Sequence, residues 1–275
     1  MATAKTKILG QPLMRLEDPP LITGQGRFAG DINFPEQLHM RMVRSPMAHG
    51  ELQSIDASEA RALPGVVAVW TRDEIADLPP IDFRADKSAE ELKPFRQYIL
   101  ARDRVRYVGD PVAAVFAEDP YVAEDAAELV QLEIDPLRVI TSADDEPGEF
   151  EPGLSSEAAL MTHAYGDSDA AFAAAHTIIE LDLFTGRHSG VPMETRGAIG
   201  FYDPATDILE LHGAAKIPHR NRDTLVRMLG LDPDRIHLHE GHTGGGFGIR
   251  GELYPEDLLV LTAAKRLGRP VKWIE

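Results

Sequence analysis

The period of apolar positions changes several times along the chain, and each change marks an element. Leu38–Ser45 (LHMRMVRS) and Glu51–Ala57 (ELQSIDA) alternate like strands. Ser58–Leu63 reads as a short helix capped near Asp56 or Ser58. The β-branched run Gly65–Thr71 (GVVAVWT) suits a buried strand, and RDEIADLPP after it reads as a short helix stopped by Pro79 and Pro80. Residues 81–95 are polar and irregular, as in a surface loop. DPVAAVFAED predicts a second buried strand, PYVAEDAAELV a helix opening on Pro120, and VQLEID a closing strand.

Residues 137–168, including TSADDEPGEFEPGLSS, are rich in Asp, Glu, Pro, Gly and Ser and can bury little. Beyond them, strands are expected at HTIIELDLF (176–184), GAIGFYD (197–203), ILELHG (208–213) and RIHLHE (235–240). An amphipathic helix over Asn221–Leu229 carries Leu225, Met228 and Leu229 on one face. PEDLLVLTAAKRLG predicts a helix ended by Gly268, with Pro270 preventing its continuation into the last strand, PVKWIE. The pattern is α+β without internal repeats. It divides into an extension (1–20), an α/β domain (21–140), a linker (141–168) and a second domain (169–275).

Composition narrows the function. The net charge of -17, with no cluster of Lys and Arg, argues against nucleic-acid binding, which needs a basic stripe. There is no cysteine, so these residues supply neither a disulfide, a thiolate nucleophile nor an iron–sulfur cluster. No run of about 20 apolar residues predicts a membrane span, and the N-terminus lacks a signal-like apolar stretch, so a cytoplasmic location is expected.

The strongest candidate chemistry lies in GGGFGIRGELYPEDL, which begins at Gly244 and contains G-x-G-x-x-G at Gly246, Gly248 and Gly251. Strand, glycines, helix, strand and the acidic Glu275 follow the order of a dinucleotide-binding unit. Against that reading, the glycine run is longer than the motif, and Phe247, Arg250 and Glu252 put bulk and charge where a pyrophosphate would sit. No Gly-Lys-Ser/Thr follows, which excludes a P-loop. Consecutive residues without Cβ instead let the main chain touch a ligand and aim its N–H groups at it.

The same stretch resembles the large, molybdopterin-binding subunit of the xanthine dehydrogenase/aldehyde oxidase/carbon monoxide dehydrogenase family of molybdenum hydroxylases. The resemblance also covers RLEDPPLITGQGRFAGDI, LHMRMVRSPMAHGELQSIDASEARALPGVVAVWT, RVRYVGDPVAAVFAED and VPMETRGAIGFYD, and so runs through nearly the whole chain. It implies a hammerhead α/β domain followed by the first part of a molybdopterin-binding domain. Gly245, Gly246, Phe247, Gly248 and Arg250 would line the cofactor, which is molybdenum-molybdopterin in a mononucleotide or cytosine dinucleotide form. Phe247 would also wall the substrate channel, and Glu252 is a candidate substrate contact. The implied reaction is hydroxylation of an aldehyde or N-heteroaromatic carbon with oxygen from water. Its electrons would pass to an iron–sulfur small subunit and an FAD-binding medium subunit.

Two departures from the family pattern bear on this. Where members commonly carry Gln near the metal, two residues before a Pro, GAAKIPHRNRD has Lys216, which donates hydrogen bonds but cannot accept them; a surface role for Lys216 is the alternative. The family's catalytic base lies well beyond the region matching this chain. A complementary C-terminal molybdopterin subunit is therefore expected, and the chain alone is expected to be inactive. A non-catalytic scaffold of the same fold and a small NAD-binding oxidoreductase domain are the rival readings.

Elsewhere, Glu194 and Arg196 read as a structural ion pair supporting the site, with a substrate clamp as the alternative. His237 and His239 share one strand face, but the local sequence offers no carboxylate to complete a metal site. No Ser-His-Asp arrangement has the context of a nucleophile elbow.

Overall fold

The computed structural model describes residues 9–81, 90–213 and 217–275. It has two compact units. One comprises the described residues through Met40 together with Pro192–Gly246 and Arg250–Glu275; the other comprises Arg41–Val191 and Phe247–Ile249. The chain passes from the first to the second within a strand, β1 (Leu38–Arg44), which follows a short helix, α1 (Asp18–Ile22).

The continuous stretch of the second unit holds β2 (Gly50–Asp56), α2 (Ser58–Ala62), β3 (Val66–Trp70), β4 (Arg104–Val105), β5 (Pro111–Ala117), α3 (Pro120–Glu128) and β6 (Gln131–Pro136). The end of β1 lies beside β5, which pairs antiparallel with β3; β4, β2 and β6 form a separate three-stranded sheet. All seven residues of β5 are buried, because its two faces meet different partners. Ala113 and Val115 pack with Val43, Val69, Ala60 and Ala126, while Phe116 meets Trp70 edge-on with ring centroids 4.7 Å apart. Pro120 opens α3, and the Asp119 carboxylate caps it by accepting the N–H groups of Tyr121 (2.8 Å) and Val122 (3.3 Å).

Two local expectations fail here. RDEIADLPP forms turns rather than a helix: the Ala76 and Leu78 N–H groups reach back only three residues, to Asp73 O (3.5 Å) and Ile75 O (2.9 Å), before Pro79 and Pro80 end the segment. The strand β3 is also only partly buried, with Val67 exposed. Of the expected loop over residues 81–95, 82–89 lie outside the described residues and Glu90–Phe95 forms a 3-10 turn.

The linker contains a hairpin of β7 (Glu149–Glu151) and β8 (Leu154–Ser155), followed by α4 (Ser168–Ala174). The strand expected over 176–184 does not form. The segment is extended, but no strand among the described residues pairs with it, and a lone strand leaves its ladder groups to water.

Asp110, 6% exposed, precedes β5 and has its carboxyl pushed up to about 6 by burial, against the opposing pull of the Arg106 N–H (2.9 Å) and guanidinium. The folded state therefore holds this proton more tightly than the unfolded chain. Its stabilisation is complete at acid pH and is lost as pH rises from about 4 through about 6, a change of about 3 kcal/mol. Urea unfolding at pH 4.5 and 7.5 checks this: Asp110→Asn should flatten the dependence, and an unchanged slope would refute it.

The first unit resumes with β9 (Gly197–Asp203), β10 (Ile208–Gly213), α5 (Pro218–Leu229), β11 (Ile236–His239), α6 (Pro255–Leu267) and β12 (Val271–Ile274). Its strands lie in the order β11-β10-β9-β12-β1, mixed in direction: β10–β11 and β12–β1 are parallel, β9–β10 and β9–β12 antiparallel. The strands flanking the glycine loop, β11 and β12, are thus separated by β10 and β9. A dinucleotide-binding unit needs them adjacent and parallel, so that reading is excluded.

Helix α6 is capped by Gly268 in the left-handed region (φ 66°) and buries Leu258, Leu259 and Leu261 completely. It crosses β9 at Gly200, where an added Cβ would lie 2.2 Å from the Val260 carbonyl oxygen. The buried Lys272 of β12 directs its three donors to Gly30 O (2.7 Å), Ile32 O (2.9 Å) and Asn33 Oδ1 (2.9 Å), fixing the segment before β1.

Candidate functional site

The glycine loop runs from the end of β11 to the start of α6 and is held from beneath by Glu194, in the segment that enters β9. An added Cβ on Gly244 would lie 2.4 Å from the Glu194 Cβ, so only glycine permits this approach. Glu194 Oε2 accepts the Gly244 N–H at 2.7 Å, Oε1 accepts the Ala29 N–H at 3.2 Å, and Glu194 N donates to Gly244 O at 3.3 Å.

Arg250, 3% exposed, turns inward to the same carboxylate: Nη1 lies 3.2 Å from Glu194 Oε2, while Nη2 donates to Thr195 O (2.7 Å) and to Glu194 O. Arg250 therefore anchors the loop instead of presenting its charge to a ligand. The expected Glu194–Arg196 pair does not form. The Arg196 guanidinium bonds Glu275 through Nε (2.9 Å) and Nη2, lies 3.6 Å from buried Glu256, and stacks over the Tyr254 ring at 4.2 Å. Adjacent positions in the sequence suggested the wrong partner, whereas each true pair joins segments far apart in the chain.

Along the loop the backbone leaves ordinary conformations. Gly245 (φ 113°) and Gly248 (φ 91°) occupy regions that favour glycine, and Phe247 adopts φ 45°, a strained value for a bulky residue. The Phe247 side chain is 72% exposed, so packing does not offset that strain. Among the described residues, none accepts a hydrogen bond from the amides of Gly245, Gly246, Phe247 or Gly248. Amides without acceptors along a glycine-rich backbone are donors available to an anionic ligand.

Glu252 lines a cavity with Arg196, Asn221, Tyr254, Asp257 and Trp273 whose volume is about 30 Å³. That is room for about one water. Desolvation pushes the Asp257 carboxyl of this cavity up to about 7. Lys216 lies outside the described residues. His237 and His239 fall on β11, and β10 brings Glu210 and His212 beside them, a juxtaposition that the local sequence did not reveal.

The molybdopterin cofactor-binding domain matches residues 150–275, and the aldehyde oxidase and xanthine dehydrogenase a/b hammerhead domain matches residues 23–138. The chain is 43% identical over 273 residues to the 6-hydroxypseudooxynicotine dehydrogenase complex subunit gamma of Paenarthrobacter nicotinovorans, covering 97% of this chain and 34% of that protein. It is 37% identical over 275 residues to the nicotine 6-hydroxylase large subunit of the same organism, covering 98% and 33%. The structure of quinoline 2-oxidoreductase from Pseudomonas putida 86 superimposes with TM-score 0.88 at 33% identity, over 98% of this chain and 35% of that one. Reconstituted CO dehydrogenase from Oligotropha carboxidovorans gives TM-score 0.84 at 32% identity, over 97% and 35%.

The chain belongs to the molybdenum hydroxylase family and represents part of its molybdopterin-binding large subunit. It spans about a third of the length of the curated relatives it matches.

Proposed function

We propose that this chain supplies the loop side of the molybdopterin site in an enzyme that hydroxylates an N-heteroaromatic carbon. The observation that carries the reading is the strained, exposed Phe247, flanked by glycines whose amides have no acceptor among the described residues, on a loop tied down by the buried Glu194–Arg250 pair. The names of the relatives, which act on nicotine or quinoline rings, favour an N-heteroaromatic substrate over an aldehyde.

When bound, the molybdenum cofactor supplies oxygen transfer from water to carbon and takes up the electrons released. This chain's part is preorganisation. Amides from Gly245 to Gly248 hold cofactor oxygens as fixed donors, and Phe247 walls the substrate channel and excludes water. Arg250 and Glu194 keep the loop in place at no reorganisation cost. These residues include no cysteine to ligate an iron–sulfur cluster, so electrons leave the site toward redox centres carried outside them, an iron–sulfur small subunit and an FAD-binding medium subunit in this reading. Turnover in isotopically labelled water, with a pyridine or quinoline ring and an artificial acceptor, should place the label on the ring carbon. Oxidation of aldehydes alone would overturn the substrate assignment.

The remaining contacts belong to protein corresponding to the other two thirds of the relatives. In the 176–184 segment, Ile179 (77% exposed), Leu181 (75%) and Leu183 (89%) alternate with Glu180 and Asp182, as in a strand that awaits a partner. Leu181→Asp with Leu183→Asp should leave stability of the chain alone within about 0.5 kcal/mol and abolish assembly with the complementary portion by size-exclusion chromatography. Normal assembly of the variant would contradict this.

A further inference from the structure

Parallel strands β10 and β11 set Glu210 opposite His237 and His212 opposite His239. Residues two apart on a strand share a face, so all four side chains rise from the same side of this ladder. His212 Nε2 lies 2.8 Å and His239 Nε2 3.4 Å from a single oxygen, Glu210 Oε2. One donor atom from each of the three residues falls within 4.8 Å of the others, the separation expected of ligands around one ion. The two imidazoles stack with centroids 4.4 Å apart and planes 10° apart, and the Phe34 ring meets His212 at 5.1 Å. His212 Nε2 hydrogen-bonds Glu210 Oε2, so an ion would displace the proton shared there as it binds.

We propose that Glu210, His212 and His239 form a divalent transition-metal site of the zinc type, distinct in its residues from the glycine loop. Two imidazoles and a carboxylate match the donor set of zinc, whereas calcium and magnesium require oxygen ligands throughout. Stacked rings send their lone pairs out nearly parallel, so binding turns the half-exposed His239 ring until its Nε2 converges with that of His212. Glu210 Oε2, already facing both nitrogens, becomes the third ligand. Solvent or the neighbouring His237, whose ring centroid is 6.4 Å from that of His239, completes the coordination. The ion would tie β11, the edge strand that leads into the glycine loop, to β10.

The test uses the full chain without a histidine tag, titrated with Co²⁺ and followed by visible absorption, with displacement by Zn²⁺. One Co²⁺ per chain is expected, at a dissociation constant on the order of ten micromolar. His239→Ala and Glu210→Gln should each weaken binding about tenfold or more, while His163→Ala, in an exposed segment, leaves it unchanged. Wild-type binding weaker than about 1 mM, or a smaller effect of both variants, would overturn the site. Should the variants fail to fold, diethyl pyrocarbonate labelling of the wild type decides. Protection of His212 and His239 by Zn²⁺, with His163 still modified, supports the site, and equal modification with and without Zn²⁺ refutes it.

Discussion

Gly200→Val is expected to unfold the unit that carries the glycine loop. A Cβ at this position of β9 would stand 2.2 Å from Val260 O, 2.4 Å from Val260 C and 2.8 Å from Leu261 N. These are backbone atoms of α6, so no rotamer change relieves the clash. The helix would have to lift from the sheet as a body, exposing Leu258, Leu259 and Leu261, all fully buried. Overpacking costs about 1–3 kcal/mol even where side chains can yield; here the loss should exceed about 4 kcal/mol, in the range where small units unfold. Gly200→Ala should cost about 3 kcal/mol, while Gly30→Ala, whose Cβ would meet nothing within 4 Å, should be nearly neutral. Urea unfolding followed by circular dichroism separates the three. A Gly200→Ala variant as stable as Gly30→Ala would show that helix and sheet are not packed as closely as described.

Glu194→Ala is the second large effect. The substitution removes acceptors from the Gly244 and Ala29 amides and strips the buried Arg250 guanidinium of its counter-ion. An uncompensated buried charge of this kind costs about 3–5 kcal/mol, several times an exposed pair. The sharper check is the double variant. Glu194→Ala with Arg250→Met removes both charges and should recover part of the loss, so the two substitutions will not add. A single variant within about 1 kcal/mol of wild type would mean that the pair is solvent-screened like a surface bridge. The single variant should also free the glycine loop and lower cofactor retention in the assembled protein, which a purely distant structural defect would not do selectively.

Much of the fold was legible in the sequence where the determinants are local. Asp119 and Pro120 announce α3, Gly268 ends α6, and the uninterrupted apolar run of β5 demands burial on both faces. What the sequence concealed depends on partners far along the chain. HTIIELDLF alternates correctly for a strand, but alternation supplies no neighbour for its hydrogen bonds. The dinucleotide-binding order of elements was present along the chain and absent in space, because β10 and β9 intervene between β11 and β12.

The candidate site divides in the same way. The run of glycines around Phe247 was visible as a motif, and its positive-φ positions at Gly245 and Gly248 follow from missing Cβ atoms. The anchor was not visible. Glu194 has Arg196 two residues away, yet its guanidinium partner is Arg250, reached only once β9 and the loop are brought together. The carboxylate missing from the histidines of β11 likewise sits on β10, where only the strand register reveals it.

If the bend around Phe247 holds a molybdopterin, molybdenum and released pterin measured in the fully assembled protein, wild type beside Gly246→Val, will report it. About one molybdenum and one pterin per assembled unit are expected for the wild type, and the bulky side chain should remove most of both while the unfolding transition of the protein is retained. Full occupancy in the variant, or a properly assembled wild type without molybdenum and pterin, would contradict the account.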